Sequence, residues 1–231
     1  MSTGRYAFAM ITSTVENYVK QIYLQQQEDP TSLLPMGKLA SAMKVVPGTA
    51  TAMVKTLSDS GLVDYEPRGG IRLTHGGEQL ALHVLRRHRI LELFLVDVLG
   101  LDWSEVHEEA ETLEHAVSDK VLERMDKLLN HPQVDPHGDP IPTAKGQIRK
   151  VRLIPLSEFA PDTAAEIARV ADQDPAFLQF AEKNGLIPGV GLSLLGRDVH
   201  ADSVTVRLEN DVTVTLGGKA AEKILVRAAT E

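Results

Sequence analysis

The sequence predicts a mainly α chain with a β C-terminal domain: a winged helix-turn-helix, a helical dimerisation domain, and a small β-barrel. Three observations carry this. Apolar residues recur at helical spacing from residue 14 to about 130, interrupted between 62 and 74 by two short strand-like runs around a glycine turn. The stretch 131–142 holds four prolines and stops helix formation. Beyond about residue 149 short strand-like runs dominate. Domains are expected at 1–76, 77–142 and 149–231.

Residues 14–28 read as a helix, with Val15, Val19, Ile22 and Tyr23 at helical spacing and Thr14 as cap. After the Asp29-Pro30-Thr31-Ser32 loop come a short helix at 36–43 and a second at 47–60, where Pro47 suits the first turn and Gly61 the end. Ala50, Met53, Val54 and Leu57 form the buried stripe of that second helix, leaving Thr49, Thr51, Ala52, Lys55 and Thr56 outward. Residues 62–66, the turn Pro67-Arg68-Gly69-Gly70 and residues 71–74 make a β-hairpin. This order is a winged helix-turn-helix, whose second short helix enters the DNA major groove. Thr49 and Thr51 are expected at thymine methyls or phosphates, and Lys55, Arg68 and Arg72 at phosphates.

Residues 75–100 form a long helix that becomes apolar nearly all round at Leu91, Phe94, Leu95, Val98 and Leu99, and so must be covered on several sides. With a following helix over 104–130 it offers surface for a homodimer, as symmetric DNA half-sites require. The second helix carries a core stripe of Val106, Ala110, Leu113, Val117, Val121, Met125 and Leu128. On its flank His107, Glu111, Glu114 and His115 fall at i, i+4, i+7 and i+8, on one face, while Glu105, Glu108 and Glu109 point to water. His88 and Glu92 repeat the i, i+4 spacing upstream. An acidic solvated face is the plain alternative, but nitrogen and oxygen donors at the core boundary of two helices suit a divalent ion of the Mn, Fe or Zn group.

Composition sets limits. At 231 residues and 43% hydrophobic, the chain can bury a sizeable core. It has no cysteine, which leaves His and carboxylate as metal ligands. No apolar run approaches the roughly 20 residues of a membrane span, and the start lacks a signal-peptide pattern, so a cytoplasmic protein is expected. The net charge of −8 hides an asymmetry: residues 1–76 carry +1 and the rest −9, so the first part can meet DNA through local basic groups.

From residue 149 onward, strands are expected at 151–155, 167–171, 192–195, 203–208 and 211–216, with a helix at 175–184, as in a small bent barrel. Taken together, Glu16-Asn17-Tyr18-Val19, Gly48-Thr49-Ala50-Thr51, Arg87-His88-Arg89 with Glu92, Glu114-His115-Ala116-Val117-Ser118-Asp119, and Pro136-His137-Gly138 before Pro140-Ile141-Pro142 resemble the diphtheria toxin repressor family of metal-dependent transcription regulators. The resemblance covers nearly the whole chain and implies that the barrel is SH3-like. In the manganese-responsive branch it implies a primary ion held by His88, Glu111, Glu114 and His115, with Asn17 where relatives have an acidic residue and Glu16 as its substitute. It implies an ancillary ion at Glu92, Asp135, His137 and Asp172, with His107 as an alternative member taken from the iron branch. Oxygen donors at Asn17 and Glu111, where the iron branch places sulfur, favour Mn2+ over Fe2+.

The implied function is a Mn2+-activated, homodimeric repressor that binds double-stranded operator DNA of metal-uptake genes, with an Fe2+-responsive regulator as the alternative. A metalloenzyme using the same cluster is the reading from another class. No enzyme is expected, since neither a His-Glu-x-x-His nor a paired Glu-x-x-His motif is present.

Overall fold

The first described helix opens where Thr12 takes extended backbone and its hydroxyl accepts the Val15 N–H, two residues before the expected Thr14 cap. The computed structural model describes residues 12–149, 151–161 and 163–228. Helix α1 (Ser13–Glu28) buries Tyr18, Val19, Ile22 and Tyr23. Helices α2 (Met36–Ala42) and α3 (Pro47–Asp59) follow; Pro47 sits in the first turn, where a missing N–H is harmless, and Gly61 takes φ +71° just past the end. Ala50, Val54 and Leu57 are buried, as the stripe requires, and Met53 is half-buried. Strands β1 (Val63–Glu66) and β2 (Gly70–Leu73) pair antiparallel, and Leu34 adds a bridge to Ile71 through two backbone hydrogen bonds of 2.9 Å.

Helix α4 (His75–Asp97) is one continuous helix, yet the chain divides within it into two compact units. One holds the described residues up to Arg86 with Pro142–Gln147; the other holds Arg87–Ile141 and the described residues from Ile148 onward. In the second unit the single helix expected over 104–130 is two: α5 (Val106–Leu113) and α6 (Asp119–Leu128). Ser118 takes extended backbone and caps α6 by accepting the Val121 N–H. Of the expected stripe, Val106 and Ala110 are buried and Val117 and Met125 pack half-buried against Leu122, Ile90 and Ile141, whereas Leu113, at the last turn of α5, is exposed, as are Val121 and Leu128 of α6, where Leu122 takes the buried position. Replacing Ser118 by alanine is expected to lower stability by about 1 kcal/mol. Urea unfolding of the two proteins measures it; superimposable curves would show that the cap contributes nothing.

The remainder forms one antiparallel sheet in the order β3-β8-β4-β5-β6-β7: β3 (Ile154–Pro155), β4 (Ala164–Val170), β5 (Gly191–Asp198), β6 (Ser203–Leu208), β7 (Thr213–Gly217) and β8 (Ile224–Ala228). Bulges at Ile167/Arg169 and Leu194/Gly196 bend it. Helix α7 (Pro175–Lys183) lies where expected, capped by Asp174. Helix α8 (Gly218–Glu222) and strand β8 were not anticipated, although β8 lies between β3 and β4. The core of this sheet holds Leu156, Ile167, Leu178, Leu194, Val206 and Leu216, and it takes in Trp103 from the segment before α5.

Candidate metal centre

The i, i+4 spacing of His88 and Glu92 puts both on the buried face of α4, and each meets side chains from elsewhere in the second unit. His88 Nδ1 lies 2.7 Å from Glu114 Oε2 and 3.8 Å from Glu111 Oε1. Its Nε2 lies 2.9 Å from Glu92 Oε1 and 3.1 Å from His107 Nδ1. His107 and Glu111 face each other on α5 at 3.7 Å, while Glu114 is the C-cap of that helix and is fully buried. His115, one residue beyond, has its Nε2 3.5 Å from Glu114 Oε1. The four residues expected on one helical face therefore come from a helix and its end.

Glu92 also looks the other way. Its Oε2 lies 4.0 Å from His137 Nδ1, and Asp135 Oδ1 is 4.0 Å from the same nitrogen. The loop that presents them is built by Asp135, whose Oδ1 accepts the N–H groups of His137 and Asp139 at 2.9 and 3.0 Å. His137 Nε2 donates to the Trp103 carbonyl at 2.9 Å, which leaves Nδ1 as the ring nitrogen on the Glu92 side. The Trp103 indole stacks on the imidazole at 5.4 Å. Gly138 takes φ +88° and lies flat against β4, next to a hydrogen bond from Val170 N–H to the His137 carbonyl.

Three ligand groups result, each with donor atoms within 4.8 Å of one another: His88, Glu111 and Glu114; His88, Glu92 and His107; Glu92, Asp135 and His137. They form a chain linked through His88 and Glu92. His107 thus groups with His88 and Glu92 and not with Asp135 and His137. Asp172 joins none of them: its carboxylate pairs with Lys223 and accepts the Asp174 N–H, and it is held below its usual pKa by Lys223 and that N–H, against the opposing effect of burial. Asn17, in the other unit, is half-buried, and its Oδ1 has no hydrogen-bond partner; Glu16 is buried.

The residues fit a cation. Glu92 Oε2, Asp135 Oδ2 and His137 Nδ1 are buried without hydrogen-bond partners; Asp135 Oδ2 has the Arg89 Nε at 3.5 Å, and for the other two the arrangement is costly unless something electropositive meets them. Burial works to raise the Glu92 pKa, but His88, hydrogen bonds to His107 and His88, and His137 together hold it well below the carboxylate range. Burial, then the nearby Asp139 and Glu92 carboxylates, push Asp135 well above that range despite Arg89.

Sequence reasoning missed Arg89, Asp139 and Trp103 as parts of this centre. Arg89 stands beside His88, and Asp139 repeats Asp135 four residues later, which were the available signals. Of the expected DNA-facing residues, Thr49, Lys55 and Arg68 are exposed. Thr51 donates its hydroxyl to the Pro47 carbonyl at 2.8 Å, and Arg72 donates to the Thr31 carbonyl at 2.9 Å. Arg68 occupies the wing turn at φ +69°.

Comparison with known proteins agrees with this architecture. The family model "Iron dependent repressor, N-terminal DNA binding domain" matches residues 10–71, "Iron dependent repressor, metal binding and dimerisation domain" matches 74–143, and "FeoA domain" matches 154–228. The iron-dependent repressor IdeR of Mycobacterium leprae is 28% identical over 228 residues, covering 94% of this chain and 97% of that protein. The diphtheria toxin repressor of Corynebacterium diphtheriae is 28% identical over 226 residues, covering 86% and 98%. A solved manganese-dependent transcriptional repressor, in complex with manganese, is 38% identical with a TM-score of 0.84, covering 93% of this chain and all (100%) of that one. The chain belongs to the iron-dependent repressor family and is a metal-dependent transcriptional repressor with a C-terminal FeoA domain.

Proposed function

We propose that this repressor is activated by Mn(II) and acts as a cytoplasmic homodimer on double-stranded operator DNA of metal-uptake genes. The observation that carries the choice of ion is the donor set: imidazole nitrogen and carboxylate oxygen throughout, with three buried atoms that lack hydrogen-bond partners and no cysteine in the chain. Imidazole is borderline, but carboxylate oxygens in place of sulfur ligands lean the set towards the harder Mn(II). We assign the primary site to His88, Glu111, Glu114 and His115, and a second site to Glu92, Asp135 and His137. A bound ion supplies the positive charge that lets these carboxylates ionise together. The protein's own part is to hold the primary set on α4, α5 and its end, and to bring Asp135 and His137 to Glu92 from the 135–139 loop. Val98, Leu99, Leu113, Val121 and Leu128 are each more than a third exposed and supply apolar surface for a second copy. Among the described residues no helix is long and apolar enough to cross a membrane.

Fe(II) is the second reading, favoured by the iron-dependent relatives that align over nearly the full chain. The deciding experiment is anaerobic DNA binding in Mn(II), Fe(II), Zn(II) and Mg(II), using a duplex selected from a random pool. Mn(II) is expected to activate fully and Mg(II) not at all; activation by Fe(II) alone would replace Mn(II) in this account.

The DNA-facing assignment is tested separately. Thr49 and Thr51 stand on the outward side of α3, and Lys55, Arg68 and Arg72 are read as phosphate contacts, Arg72 least freely because it is tied to Thr31. Lys55→Ala is expected to weaken selected and random DNA alike and to reduce the salt slope of log K by about 0.9. A full slope in the variant would remove Lys55 from the interface.

A further inference from the structure

Arg89 lies one residue past His88 on α4 and is buried. Its Nη1 donates to the Pro140 carbonyl at 2.6 Å, its Nη2 donates to Asp139 Oδ1 at 3.0 Å, and its Nε stands 3.5 Å from Asp135 Oδ2. Neither carboxylate depends on Arg89 alone. Arg169 of β4 approaches the same Asp139 oxygen at 2.9 Å, and Asp135 Oδ1 has two backbone N–H donors. Asp135 is the member shared between this ionic network and the Glu92, Asp135, His137 group.

We infer that Arg89 is an internal cation that shares Asp135 with the ion of the second site and sets that site's affinity lower than its donors alone would give. The inference rests on the reading of Glu92, Asp135 and His137 as a cation site. Fully ionised, with His137 neutral, the side chains of Glu92, Asp135, Asp139, Arg89 and Arg169 carry a formal net charge of −1. A divalent ion turns this buried group net positive, whereas without the Arg89 charge the same ion neutralises it. At the distances involved, incompletely screened, one unit charge is enough to move an ion's affinity by an order of magnitude. Arg89 is a positioning and tuning residue, not a ligand. It restrains the loading of the second site, so that the ion concentration at which the site fills reflects both its donors and this neighbour.

The test uses the full-length protein and Mn(II) alone. Trp103 is the only tryptophan and stacks on His137, so its emission reports loading of this site, and His137→Ala identifies the signal by removing it. Arg89→Gln keeps an amide near Pro140 and leaves both carboxylates partnered; it is expected to tighten the Trp103-reported binding about tenfold or more. Asp139→Asn, which leaves Arg89 less neutralised, is expected to weaken it by a similar factor. Arg89→Lys keeps the charge and loses the planar fork, and it should stay within about threefold of wild type. A merely structural role would weaken binding in all three variants, so opposite signs for Arg89→Gln and Asp139→Asn are the signature. Unchanged or weaker binding in a folded Arg89→Gln protein overturns the inference; if that variant does not fold, loss of binding in folded Arg89→Lys overturns it. A wild-type protein with no Mn(II) response sensitive to His137→Ala sinks the cation-site reading itself.

Discussion

Replacing His115 by alanine is expected to abolish metal-activated operator binding, while His137→Ala retains partial activation at high Mn(II). The ranking follows from how each group is held. His88, Glu111 and Glu114 already converge, with Glu114 fully buried and 2.7 Å from His88, and His115 follows Glu114 directly with its Nε2 3.5 Å from Glu114 Oε1, so most of this set is in place before any ion arrives. Removing even an outer partner of a ligand lowers metal affinity roughly 10–100-fold, so loss of a ligand itself is expected to exceed that. The second group depends on a loop, and ordering a loop opposes binding. Metal stoichiometry by mass spectrometry, paired with operator titrations of both variants, decides it. Full activity in His115→Ala with none in His137→Ala would reverse the assignment.

Gly138→Ala is expected to have the largest effect on stability of any single substitution in the 135–140 loop. A Cβ there would lie 2.0 Å from the Ala168 carbonyl oxygen and 2.7 Å from Arg169 Cα, both backbone atoms of β4 that cannot rotate away. The residue also holds φ +88°, a region that L side chains enter only with strain. The loop must lift, which breaks the 2.8 Å hydrogen bond from Val170 N–H to His137 and draws the imidazole from Glu92 and Trp103. Together the clash and the strained backbone are expected to cost about 3 kcal/mol. Denaturant unfolding and Trp103 emission measure the two parts. Wild-type stability with unshifted emission would show that the glycine is dispensable.

The winged helix was legible because each element carries its own local signal. Pro47 and Gly61 mark the ends of α3, and the Pro67–Gly70 turn marks the hairpin. The break between α5 and α6 was not, because Val106, Ala110, Leu113, Val117 and Val121 keep helical spacing straight through it and neither glycine nor proline interrupts them. Only Ser118, ahead of Asp119, marked a new helix start. Strand β8 is five residues long and follows a short helix, and its place between β3 and β4 is set by pairing with strands more than fifty residues away. That pairing also brings Lys223 to Asp172, so the partner of Asp172 was beyond any local pattern. At the metal centre the i, i+4 pairs His88/Glu92 and His107/Glu111 were readable as spacing. The sharing of His88 and Glu92 between neighbouring groups was not, since it arises only when α4, the end of α5 and the 135–139 loop pack together.

The central claim, that ion occupancy gates DNA binding, is tested most directly by anisotropy of a labelled operator duplex at fixed protein, first with chelator and then with saturating Mn(II). The account predicts a large gain in affinity with Mn(II), together with a tightening of Mn(II) by operator DNA of the same factor, as linkage requires. Equal operator affinity in chelator and in Mn(II) would contradict it.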